Sequence, residues 1–106
     1  MGKNNNFKIE FIGDIDDIES DNIDVYVTLS DGRKFTATFF TLSNIKRILN
    51  RYKKSGECGY GQYFWASDMI IVENINPLTI RETIFDLIKS EELESAFMKI
   101  ENNTEA

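Results

Sequence analysis

Histidine is absent from this chain, cysteine and proline occur once each, and no apolar run approaches the length of a membrane span. Without histidine the commonest general base, nucleophile activator and metal ligand are removed together. Ser-His-Asp hydrolases, cysteine proteases, zincins and histidine-dependent nucleases are therefore excluded. One cysteine cannot form an intramolecular disulfide, and with no histidine beside it only carboxylates remain to hold zinc, so a structural zinc site is excluded too. Cys58 has neither a histidine nor a helix N-terminus to lower its pKa and reads as incidental. A basic segment followed by an apolar one is also missing from the start, so a cytoplasmic, reducing location is expected. The opening MGKNNN begins like a myristoylation signal but carries Asn6 where Ser or Thr is needed.

Positive charge is the other shortage. Eighteen acidic residues face twelve basic ones, giving a net charge of -6. The summed field repels phosphate backbones and anionic membrane surfaces, which argues against direct nucleic-acid or membrane binding and for a basic protein as partner. Acidic charge that merely keeps a protein in solution is the blander explanation.

What is present suffices for one domain over residues 1–106, with an ordered core of about 7–100 and frayed polar ends at Met1–Asn6 and Glu101–Ala106. Phe7, Ile9 and Phe11 alternate with Lys8 and Glu10 as in a half-buried strand. Ile23, Val25, Val27 and Leu29 alternate in the same way, and after Ser30-Asp31-Gly32 so do Phe35, Ala37 and Phe39. A two-residue turn would mix polar and apolar residues on each face. A three-residue loop with left-handed Gly32 pairs Val27 with Phe35, Val25 with Ala37 and Ile23 with Phe39, and leaves Thr28-Lys34, Tyr26-Thr36 and Asp24-Thr38 as a polar outer face.

Thr41 or Ser43 can cap a helix whose apolar stripe is Leu42, Ile45, Ile48, Leu49 and Tyr52, with Lys53 and Lys54 in its last turn and Gly56 to end it. Its other face, Arg47, Arg51 and Lys54, is the one basic patch and reads as a solvated surface. Tyr63 to Glu73 is expected to be a strand or hairpin arm around Met69-Ile70-Ile71-Val72. Asn76-Pro77 then opens a second helix buried along Ile80, Ile84, Leu87 and Ile88, with a competing box at Thr79 and Glu82. Ser90 reads as the cap of a short third helix with Leu93, Phe97 and Ile100 inward. The fold class expected is α+β, an antiparallel sheet of about four strands with two main helices on one face and a short C-terminal helix.

Two stretches offer candidate surfaces. Asp14 to Asp24 is acidic, yet Ile18 and Glu19 fall where a calcium loop needs a ligand and a glycine, so Asp14, Asp16, Asp17, Glu19 and Asp21 read as a loop presented to a partner. GECGYG lacks the Gly-Lys-Ser/Thr of a phosphate loop and reads as a flexible connection between helix and strand. In the second stretch, alternation puts Tyr63 and Trp65 on one side and Phe64 on the other, so a one-sided sheet cannot bury all three. Core packing is the reading for Phe64 or Trp65 singly, and a partner-binding patch with Tyr26 and Tyr60 for the exposed member. No cofactor, metal or catalytic residue is implied.

FFTLSNIKRIL and YFWASDMIIVENI resemble a group of small uncharacterised bacterial single-domain proteins with the same order of hairpin, helix, aromatic strand and helix. The resemblance spans Ile23 to about Phe97 and implies a bacterial origin and an accessory role, with no activity attached to particular residues. The reading that size, acidity and missing catalytic groups favour is a non-enzymatic inhibitor, such as an immunity-type protein neutralising a toxin or nuclease. The alternative is a homodimeric structural or regulatory module. An enzyme restricted to Asp, Glu, Lys and Tyr is a third reading, which needs a cleft near Asp14 to Asp24.

Overall fold

A computed structural model describes residues 6–101 as an α+β fold: strands β1 (Phe7–Ile12), β2 (Asn22–Leu29) and β3 (Lys34–Thr41), helices α1 (Leu42–Ser55) and α2 (Glu57–Gly61), strand β4 (Met69–Val72), helices α3 (Pro77–Lys89) and α4 (Leu93–Ala96), and strand β5 (Met98–Ile100). Apart from Asn6 and Glu101, the ends expected to fray lie outside the described residues.

The sheet grows from the central hairpin. Gly32 takes a φ of 95°, the left-handed conformation that a side chain at that corner would resist. Leu29 N–H donates to the Arg33 carbonyl at 2.9 Å, and the ladder that follows pairs Val27 with Phe35, Val25 with Ala37 and Ile23 with Phe39. This is the register that keeping apolar residues on one face requires. β1 adds antiparallel to β2, with Ile9 opposite Val27. The other edge of β3 is shared by two short strands: β4 runs parallel to it along Thr38 to Thr41, and β5 antiparallel along Lys34 to Thr36.

One face of this sheet holds the main core. Phe7, Val25, Val27, Phe35 and Phe39 pack beneath Ile80 and Ile84 of α3, and Leu93 and Phe97 close the far side. Each such large apolar side chain contributes about 1.5–3 kcal/mol on burial. Asn76 caps α3, its side chain accepting from Leu78 N–H at 2.9 Å, with Pro77 at the first turn. Ile75, just before that cap, is fully buried with Ile80. Thr79 does not compete as a cap, because its hydroxyl donates to Asn74 at 2.8 Å.

The two main helices do not share that face. α1, capped by Thr41 and ended by Gly56 as expected, packs through Tyr52 against Phe64, which in turn meets Phe40. Phe40 alternates with Phe39 and points to the opposite side of β3, so α1 belongs to a second, smaller apolar cluster at one end of the sheet.

Two segments also differ from the sequence reading. Only Met69–Val72 of the stretch Tyr63 to Glu73 is strand, because Asp68 turns the chain with a φ of 52° and Phe64 draws the preceding residues onto Phe40. The third helix is the single turn Leu93–Ala96. Phe97 leaves it extended to stand edge-on to Phe39, and Met98–Ile100 becomes β5. Ser90 consequently closes α3 rather than opening α4, its N–H bonding Asp86 O at 2.9 Å. Ile100 lies opposite Lys34 on the outer face instead of facing inward.

Candidate interaction surface

The face of the sheet away from α3 can be read row by row from the registers. Lys8, Thr28, Lys34 and Ile100 cross it at the hairpin end; Glu10, Tyr26, Thr36 and Met98 form the middle row; Ile12, Asp24, Thr38 and Met69 come next. Phe40 and Ile71 complete the end covered by α1. The hairpin part is polar, as its alternation requires. Exposed apolar side chains are scattered over the rest of the face: Ile12 on β1, Tyr26 on β2, Ile71 on β4 and Met98 on β5. Of these only Tyr26 was marked by the sequence, since Met98 and Ile71 read as helix and buried strand respectively.

Asp14 to Asp21 leaves β1 at the Ile12 end of this face. Three anchors hold the loop: Ile75 N–H donates to Ile18 O at 2.8 Å, Thr41 N–H to Asp21 O at 3.3 Å, and Arg47 Nη1 to both the carbonyl and the hydroxyl of Ser20 at 3.1 and 2.9 Å. Ser43 donates to the same Ser20 hydroxyl at 2.9 Å. Within the loop, the Asp17 carboxylate accepts from Glu19 N–H at 3.0 Å and that of Asp21 from Asn22 N–H at 2.9 Å. Asp14, Asp16 and Glu19 stay exposed. Among the described residues the ion pairs join Arg33 to Asp31 and to Glu94, so no carboxylate of this loop is ion-paired, and the cation that reaches the loop, Arg47, bonds Ser20 instead. With Asp14, Asp16, Asp17, Glu19 and Asp21 against that one cation, the loop keeps a net negative field toward solvent.

The aromatic residues divide. Phe64 is half-buried, its ring 5.4 Å from Phe40 and 6.4 Å from Tyr52. Tyr63 and Trp65, pointing the other way, are 56% and 70% exposed. Since Phe40 belongs to the outer face, Phe64 ties this segment to the same side of the sheet. α1, about 21 Å long at 1.5 Å per residue, has its first turns at the acidic loop and its last beside Gly56, against which the Tyr60 ring lies. The acidic loop and Tyr26 thus adjoin one face, while Tyr63, whose ring lies against Gly59, and Tyr60 sit together toward the C-terminal end of α1.

GECGYG is not a loose connection. Cys58, Gly59 and Tyr60 all adopt left-handed helical angles, with φ of 49°, 62° and 60°, and Gln62 N–H donates to Cys58 O at 3.1 Å. For each of the two non-glycine residues this costs about 1–2 kcal/mol. Gly61 makes it possible: a Cβ there would stand 2.5 Å from Leu49 O, so the turn presses backbone to backbone on α1.

Chemistry elsewhere is sparse. A pocket of about 500 Å³ at the hairpin end is lined by Leu29, Phe35, Leu93, Asp31, Arg33 and Glu94. Arg33 is spent on Asp31 at 2.9 Å and Glu94 at 2.6 Å, and Glu91 is the remaining charge of the lining. It lies at the other end of the sheet from Asp14 to Asp24. Among the described residues no group of three or more Asp, Glu or Cys side chains is arranged to hold a metal ion, and no helix is long and apolar enough to cross a membrane. Comparison with protein-family models, with curated proteins and with solved structures finds no match to this chain.

Proposed function

We propose that this protein is a non-enzymatic binding protein of the small acidic inhibitor type, whose occupant is a basic protein surface such as the active-site groove of a toxin or nuclease. The observation that carries the reading is the net-negative acidic loop, anchored at Ile18, Ser20 and Asp21, with none of its carboxylates ion-paired among the described residues, beside the exposed apolar side chains of Ile12 and Tyr26. Interfaces of this kind combine a desolvated apolar centre with a charged rim that speeds encounter. Trp65 and Tyr63 supply the aromatic side chains that carry binding energy in such contacts. A cytoplasmic site of action and an immunity-type role are parts of the same proposal, since an acidic shield over a basic groove protects the cell that makes the nuclease.

The test is titration calorimetry against a panel of purified basic nuclease domains, beginning with any encoded next to this gene. Sub-micromolar binding that weakens with salt and is lost in the triple variant D14N/D16N/E19Q is the expected result. Trp65→Ala is expected to weaken the same complex with little change in its association rate. Absence of binding throughout the panel at low salt, or binding indifferent to the triple variant, overturns the proposal.

A further inference from the structure

β1 is the longest strand edge that no other strand completes among the described residues; the short strands β4 and β5 at the other side likewise pair with β3 alone. β1 pairs along its whole length with β2 and with no other strand. Which of its backbone groups are free follows from the hairpin. Leu29 N–H bonds to β3, so by antiparallel alternation the polar groups of Ile23, Val25, Val27 and Leu29 face β3, and those of Asp24, Tyr26 and Thr28 face β1. The same alternation sends Thr38 N–H away from β2, where it meets Asp68 O at 3.1 Å. Asp24, Tyr26 and Thr28 stand opposite Ile12, Glu10 and Lys8. The N–H and C=O groups of Phe7, Ile9 and Phe11 therefore point outward, and no hydrogen bond among the described residues reaches them.

The strand has few of the features that protect an edge. It contains no proline and no bulge, and its six residues keep one unbroken register. Ile9 and Phe11, on the core face, are only half-buried against the core. An apolar layer stops there unfinished.

We infer that β1 pairs with β1 of a second copy of this chain, antiparallel, with Ile9 opposite Ile9. The free groups belong to odd-numbered residues, so only registers pairing odd with odd can form hydrogen bonds and keep both cores on one side. Three such registers are centred on the strand. Centring on Lys8 sets lysine against lysine, and centring on Glu10 sets glutamate against glutamate, each destabilising when directly opposite. Centring on Ile9 places Lys8 opposite Glu10 twice, Phe7 opposite Phe11 twice, and forms about six backbone hydrogen bonds. The sequence FKIEFI is thus self-complementary in one register alone, as an isologous two-fold contact requires. The axis stands normal to the sheet, so both outer faces and both acidic loops lie on the same side of one continuous sheet.

The test is molar mass by light scattering over a concentration series of the full chain. A dimer is expected for the native sequence, with Lys8→Glu and Glu10→Lys each raising the dissociation constant tenfold or more and the double variant K8E/E10K restoring it. Both side chains are exposed, so folding is preserved, and circular dichroism verifies it. Oxidation of Ile9→Cys in a Cys58→Ser background is expected to give a covalent dimer, reporting the register. A monomer at every concentration, or a dimer unmoved by either single charge reversal, overturns the inference and leaves the binding proposal, which rests on other residues, untouched.

Discussion

Phe64 stands edge-on to Phe40, ring centroids 5.4 Å apart and planes at 69°, and this one contact fixes which aromatic side chains of the Tyr63 to Trp65 segment face water. Phe64→Ala is expected to cost about 2 kcal/mol in urea unfolding, below the 3–5 kcal/mol of a fully buried phenylalanine because the ring is half-buried. Trp65→Ala is expected to change stability by less than about 0.5 kcal/mol. In the native protein, Trp65 fluorescence is expected at the red, water-exposed end of its range, and to move blue when a basic partner is bound.

Gly61 provides a second outcome. Alanine there must accept a φ of 80° and a Cβ 2.5 Å from Leu49 O, and neither backbone segment can yield cheaply. Gly61→Ala is expected to destabilise by about 2–4 kcal/mol, combining left-handed strain with steric overlap. Hydrogen exchange should locate the loss at α2 and the last turns of α1, with the ladder of β1, β2 and β3 less affected.

At the hairpin loop, Asp31 accepts from the backbone N–H of Arg33 at 3.0 Å, and this bond holds its carboxyl below the usual range, with the Arg33 side chain assisting. A carboxyl lower in the folded than in the unfolded state contributes stability above its unfolded value of about 3.9, and that contribution disappears as pH falls through the lowered folded value. Carbon-detected NMR titration is expected to place the Asp31 midpoint below 3.9. In Arg33→Ala most of the depression is expected to persist, since the backbone donor remains.

Asn44 is buried at the start of α1, where its N–H is capped by Thr41 at 3.1 Å while its Oδ1 has no partner among the described residues. Replacing a buried, unsatisfied acceptor by an apolar group of similar size removes a desolvation penalty. Asn44→Leu is expected to raise stability by about 1 kcal/mol, read from the midpoint of chemical denaturation.

The legible parts of this fold were those where local pattern and long-range packing agree. The register of Val27 with Phe35 followed from alternation and one glycine, and the caps at Thr41 and Asn76 from side chains able to bond the exposed N–H groups of the next turn. Met98–Ile100 was not legible, because EELESAFMKI has a helical composition and its partner, the first residues of β3, lies far back in the chain. The left-handed turn left a trace in Gly56, Gly59 and Gly61, but Cys58 and Tyr60 have no preference for that conformation. Of the candidate surface, the acidic loop and Tyr26 could be read from the sequence. The exposure of Ile71 and Met98 on the same face could not, since they reach it only through strand pairings with β3. Tyr60, read with the other aromatics, lies near Tyr63 at the C-terminal end of α1, a helix length from the acidic loop.

The shared edge of β3 also sets an order of events. β4 supplies one half of that edge and β5 the other, so Lys34 waits for Ile100 while the hairpin beside it can close at once. Closing so long a loop costs chain entropy before any contact repays it, and pairings distant in sequence form late. During that interval Lys34 to Thr36 offers unpaired backbone to any other chain, and newly made protein is most prone to aggregate then. Dilute refolding should outperform concentrated refolding for this reason, whatever the stability of the finished sheet.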